Sequence, residues 1–108
     1  MEGKGTMTNP LLGGLRPVHP GEILAKDVLP ALGRSKVEIA QLLGISRQTL
    51  YDILSARQAV TVPIAYRIGK LTGTTPESWS RMQLAYDLRT QAPAPEVLEE
   101  IPTLQAAA

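Results

Sequence analysis

Between residues 46 and 58 the chain reads SRQTLYDILSARQ, and Ser46, Arg47, Gln48, Thr49, Tyr51, Asp52 and Ser55 interrupt an apolar repeat at helical spacing. Arginine and glutamine can each form paired hydrogen bonds with base edges in a major groove, Arg with guanine and Gln with adenine. Hydroxyls, together with the first-turn N–H groups and positive end of a helix, suit phosphate oxygens. Arg57 and Gln58 lie just past this stretch and Lys36 precedes it, all three placed to reach a sugar–phosphate backbone. The chemistry on offer is hydrogen bonding and charge pairing, not bond making.

No catalytic or metal constellation competes with it. His19 is the single histidine, at the end of a Gly/Pro-rich arm and ahead of Pro20, with no second ligand at useful spacing, so it reads as structural or solvated. Glu22 with Asp27, and Glu99 with Glu100, are carboxylate pairs by proximity only, and no nucleophile, base and orienting group can be assembled. Trp79 and Tyr86, at helical spacing, read as core. Catalytic residues, metal and cofactor are all expected to be absent. With no cysteine among 108 residues there is neither a disulfide framework nor a thiolate site. No signal-like or membrane-length apolar run occurs, so a soluble, cytoplasmic protein with no membrane role is expected.

The net charge of +1 hides a division: residues 34–90 carry eight basic and four acidic side chains, whereas 91–108 carry three acidic and none basic. This basic bias is milder than the pI above about 9 that marks nucleic-acid binding by charge alone.

Stepping outward from residues 46–58, the elements that must hold them can be placed by periodicity and caps. Ile23, Leu24, Val28 and Leu32 share one helical face, with Pro20 in the first turn, Pro30 as a kink or stop and Gly33 as the end. Ser35 caps KVEIAQLL, with Glu38 completing a capping box. Ser46 caps RQTLYDILSA, Thr61 caps VPIAYRIGKL, and Thr75 with Pro76 opens PESWSRMQLAYDLRTQ. Five helices result. In the last of them Trp79, Met82 and Tyr86 form one stripe, and Leu84 and Leu88 a second. The expected organisation is a flexible arm over 1–18, a folded domain over 19–91 and an acidic, Pro-rich tail over 92–108. That tail cannot fold alone and is expected to be disordered or to pair with something else.

The second and third helices meet a demanding template. A helix-turn-helix counted from Lys36 needs a small fifth residue (Ala40), a ninth-place glycine (Gly44), and apolar residues at places four, eight, ten, fifteen and eighteen. Ile39, Leu43, Ile45, Leu50 and Ile53 supply the last five. Sequence-specific DNA binding is the expectation, with a protein-binding descendant of the same fold as the alternative.

Over residues 19–88, HPGEIL followed by IAQLLGISRQTLYDILSARQAVTVPIAYRIGKLTGTTPESWSRMQLAYDL resembles the HigA antitoxins, a branch of the Xre helix-turn-helix group. The resemblance implies an all-α, five-helix lambda-repressor-like domain. It also implies the antitoxin of a type II toxin–antitoxin pair, which binds a HigB-type RNA-cleaving toxin and represses their operon as a homodimer. The family's DNA contacts map onto Ser46, Arg47, Gln48, Thr49 and Tyr51. Twofold symmetry would set two recognition helices about 34–36 Å apart on double-stranded operator DNA. Leu84 and Leu88, extended by Val97, Leu98 and Ile101, are the expected dimer contact. A stand-alone Xre-type repressor without a toxin is the competing reading.

Overall fold

Each helix of the domain begins where a side chain can accept a first-turn N–H. The computed structural model describes residues 16–106. Ser35, Ser46, Thr61 and Thr75 take the amides of Glu38, Thr49, Ile64 and Ser78, the four hydroxyl caps expected from sequence. Such a cap contributes about 1 kcal/mol. The box expected at Ser35 is half formed, because the Glu38 carboxylate turns to the Arg34 guanidinium, a stronger partner than a backbone amide.

Helix α1 covers 20–32 in three stretches: Pro20–Ile23, a π-helical segment Leu24–Val28, and Leu29–Leu32. Pro30 has no N–H to continue the ladder, and the wider turn lies immediately ahead of it, with the Leu29 amide bonded five residues back to the Leu24 carbonyl. The helix therefore passes the proline and stops at Gly33, whose φ of 66° is left-handed. Then follow α2 (Lys36–Leu43), α3 (Arg47–Leu54), α4 (Val62–Thr72) and α5 (Pro76–Thr90). A sixth, short helix, α6 (Pro95–Glu99), stands in the tail and buries no residue. There are no strands among the described residues, and no helix there is long and apolar enough to cross a membrane. The expected flexible arm lies outside the described residues except for 16–18.

The core sits between α1, α2, α3, α4 and α5. Ile39, Ala40, Leu43, Leu50 and Ile53 of the template are buried with Leu24, Ile68 and Trp79, and Ile45 packs against them half-buried. Full burial of a Leu or Ile side chain is worth about 1.5–3 kcal/mol, so this interlocked set dominates the stability of the two-helix unit. Between α2 and α3 the chain turns at Gly44 with φ 73°, and the Arg67 guanidinium of α4 donates to the Leu43 carbonyl at 2.9 Å. A cation at this helix end satisfies an orphan carbonyl and opposes the negative end of the dipole.

The tightest approach joins α1 to α3. A Cβ on Gly21 would lie 1.7 Å from the Ile53 carbonyl oxygen, so only glycine lets the start of α1 rest on α3. Gly21→Ala is expected to lower unfolding free energy by about 2–4 kcal/mol in urea titration, the range of a forced overpacking with backbone displacement. Gly33→Ala, where no neighbour lies within 4 Å but φ is positive, should cost only about 1 kcal/mol.

Candidate nucleic-acid interface

Helix α3 divides its residues by face. Leu50 and Ile53 are in the core, whereas Ser46, Arg47, Gln48, Tyr51 and Ser55 are exposed and Thr49 and Asp52 are half-buried at the edges. Ser46 Oγ accepts the Thr49 N–H at 3.0 Å and bonds the Thr49 hydroxyl at 2.9 Å, fixing the cap. The N–H groups of Arg47 and Gln48 have no acceptor within the helix and point out of its positive end. Gln48 Nε2 donates to Asp52 Oδ1 at 2.9 Å, which lays the amide along the exposed face with its oxygen available.

Asp52 is the acid of this surface, and Arg57 offsets it at 3.8 Å while donating to Ser55 Oγ at 3.1 Å. Lys36, Tyr51, Ser55 and Arg57 line one shallow cleft with Ala25 and Leu54, so the first residue of α2 and the end of α3 face the same space. Gln58 is half-buried in the following loop. All ten sequence-derived contact residues therefore belong to α3, its following loop, or the start of α2. The residues expected at a dimer seam lie elsewhere. Leu84 and Leu88 are 58% and 67% exposed on α5, beside a groove that also includes Asp87, Gln91, Ala92 and Pro93. Val97, Leu98 and Ile101 are exposed on α6 and just after it.

Sequence reasoning missed the groups that hold this surface in place. His19, only 1% exposed, caps α1: its Nδ1 accepts the Gly21 N–H at 2.9 Å, while Glu22 Oε2 accepts the His19 N–H at 3.2 Å. The ring meets Tyr86 edge-on, centroids 4.9 Å apart, and bonds the backbone of Gln58. The reading of His19 as structural holds, and the side chain is buried rather than solvated. Arg16 forks onto Glu22, at 2.6 and 3.1 Å, and with the His19 amide holds that carboxyl down at about 2. Gln83, 7% exposed, accepts the Val60 N–H at 2.7 Å. Its signal was present: residue 83 falls in the stripe of Trp79, Met82 and Tyr86, where a polar side chain needs a buried partner. Trp79 donates its indole N–H to Thr74 Oγ1 at 2.7 Å. Among the described residues no group of three or more His, Cys, Asp or Glu could hold a metal ion.

An exposed, donor-bearing face on a helix-turn-helix, with Lys36 and Arg57 in one cleft beside it, has the make-up of a nucleic-acid-reading module. A helix-turn-helix family model matches residues 26–79. The Vibrio cholerae antitoxin HigA-1 is 33% identical over 73 residues, covering 68% of this chain and 69% of that one. The solved Pseudomonas aeruginosa antitoxin HigA with higBA promoter is 32% identical with a TM-score of 0.76, over 83% of this chain and all of that one. Antitoxin GraA in complex with its operator is 38% identical with a TM-score of 0.76, over 86% and 96% of the two chains. The chain belongs to the helix-turn-helix family, in its HigA antitoxin branch.

Burial pushes the His19 imidazole below its ordinary pKa, against the opposing charges of Glu22 and Asp87 and the Gln58 bond. The unfolded chain therefore takes up a proton below about pH 6.5 that the folded chain refuses until lower pH. Stability should be full above that value and fall as pH drops through it. Urea midpoints measured from pH 7.5 to 5 should decline less steeply in His19→Asn, which keeps a capping side chain but cannot titrate.

Proposed function

We propose that the protein is the antitoxin of a type II pair, a cytoplasmic, non-enzymatic homodimer that represses its own operon and neutralises a HigB-type RNA-cleaving toxin. The observation that supports it most is the outward face of α3: Arg47 and Gln48 exposed around a helix end whose N–H groups lack acceptors. In this reading Arg47 and Gln48 read base edges, Ser46, Thr49 and Tyr51 fix the helix against the groove wall, and Lys36, Ser55, Arg57 and Gln58 meet backbone phosphates. Asp52 limits the charge of the surface and orients Gln48 and Arg57. No cofactor is needed for any of this.

One module offers too few contacts for tight specific binding, whereas two related by a twofold axis double them on a palindromic operator. The paired surface is Leu84 and Leu88 of α5, extended by Val97, Leu98 and Ile101. These apolar groups are exposed along one helix and the tail after it, and pairing would remove them from water. The RNA-cleaving toxin must itself carry a cationic cleft to hold RNA phosphates. Arm 1–18 and the acidic tail 92–108 are the two candidate wraps around it, and the tail's Glu96, Glu99 and Glu100 have the complementary sign.

Arg47→Ala or Gln48→Ala should weaken operator binding by about 1–3 kcal/mol and relax preference at one base pair per half-site, read by fluorescence anisotropy against single-base operator variants. Unchanged binding by both at moderate salt would remove α3 as the reading helix. Leu84→Glu should give a monomer in sedimentation; a persisting dimer moves the seam elsewhere. Co-purification with the product of the adjoining reading frame, repeated on chains lacking 1–18 or 92–108, identifies the toxin-binding segment. Operator binding without any such partner would mark a stand-alone repressor.

A further inference from the structure

The loop that leaves α3 carries two of the proposed phosphate contacts, Arg57 and Gln58, in a conformation its own residues do not favour. Ala56 has φ 65°, left-handed for a residue with a Cβ. A Cβ disfavours that conformation by crowding the following carbonyl oxygen. The Ala56 and Arg57 amides close the helix end on the Ile53 and Asp52 carbonyls at 3.0 and 2.8 Å. A strained loop persists only where its surroundings hold it. The Gln58 amide returns to the same Asp52 carbonyl at 3.1 Å, His19 meets the Gln58 backbone, and two residues further on α5 takes hold at Val60.

Gln83 is fixed at both ends of its amide. Its Oε1 takes the Val60 N–H, and its Nε2 donates to Asp87 Oδ1 at 3.0 Å, an oxygen that also receives Gln91 Nε2 at 3.2 Å. The amide therefore cannot turn over without breaking two bonds, and its oxygen stays aimed at the loop. An apolar residue at 83 would continue the stripe of Trp79, Met82 and Tyr86 but could not supply a direction. A buried hydrogen bond adds little net stability, whereas losing it leaves the Val60 amide unsatisfied and free to seek water. The loop would move with it.

We infer that Gln83 is a positioning residue for DNA binding, holding the loop through Val60 so that Arg57 and Gln58 meet the phosphates beside the groove that α3 enters. The inference rests on α3 being the reading helix. Gln83 and Leu84 are adjacent on α5, so the helix carrying the proposed dimer seam also sets the phosphate clamp. The clamp is thereby referenced to the twofold axis as well as to α3.

The test is operator binding by the full-length protein over a salt series. Gln83→Leu should lower affinity about tenfold at moderate salt and reduce the salt slope by about one per half-site, with base preference unchanged. In an Arg57→Ala background the same substitution should have little further effect, because the contact it positions is already gone. Gln83→Glu combined with Asp87→Asn keeps an acceptor for the Val60 amide and should retain the wild-type slope. An unchanged slope in Gln83→Leu, or a loss equally large without Arg57, overturns the inference. If Gln83→Leu does not fold, Asp87→Ala lets the amide rotate and should give a smaller loss of slope in the same direction; no change there overturns it equally. Silence of Arg47→Ala and Gln48→Ala would instead indict α3 itself, so the two failures are distinguishable.

Discussion

The contact on which the rest of the structure turns is the one between Gly21 and the Ile53 carbonyl, where no side chain fits. Because the start of α1 lies directly on the last turn of α3, the residue before it, His19, is carried into the interior. There it caps α1, meets Tyr86 of α5 and bonds the Gln58 backbone. A single backbone approach thus brings α1, α3, α5 and the loop after α3 to one point. Filling that space with a methyl group would separate all four. The motif HPGEIL is intelligible on these terms: an imidazole acceptor, a proline suited to a first turn, a glycine for the approach, and a carboxylate to return the cap.

With the inner face of α3 held in the core, its outer face is left open, from Arg47 in the first turn to Tyr51. The apolar residues that anchor it, Leu50 and Ile53, face inward from its fourth and seventh places, and the donors at Arg47 and Gln48 occupy the first two. Rigid burial of one face and exposure of the other is how a helix can be presented to a groove without being part of a flexible loop. The acid at Asp52 fits this arrangement. Engaged by Gln48 and Arg57, it orders two side chains of the exposed face, and side chains ordered in advance lose less entropy when they meet a partner.

Most of the helix-turn-helix was legible because it is written locally. Ala40, Gly44 and the five apolar positions around them report their places by spacing alone, and the hydroxyl caps declare the helix starts. What escaped was written across the fold. Arg67 reaches a carbonyl of α2 from α4, Gln83 reaches an amide beyond α3 from α5, and Gly21 meets a carbonyl more than thirty residues away. No periodicity encodes such pairs, although a glutamine inside an apolar stripe was a sign that one existed. The π-helical turn before Pro30 was foreseeable only as a disturbance, since a proline predicts the broken ladder but not how the helix accommodates it. The outward set on α3 was found by subtraction, once the inward residues were known.

The tail has a further consequence, for the protein's lifetime. Residues 91–106 are exposed throughout, and α6 buries nothing. Proteases cut most readily where backbone is accessible and its removal costs no packing. A cut here leaves the core, the caps and the exposed face of α3 untouched while discarding three glutamates and the apolar residues between and after them. Turnover entering by this route removes the tail before it removes the folded domain, so a clipped chain keeps its helix-turn-helix after the acidic segment is gone.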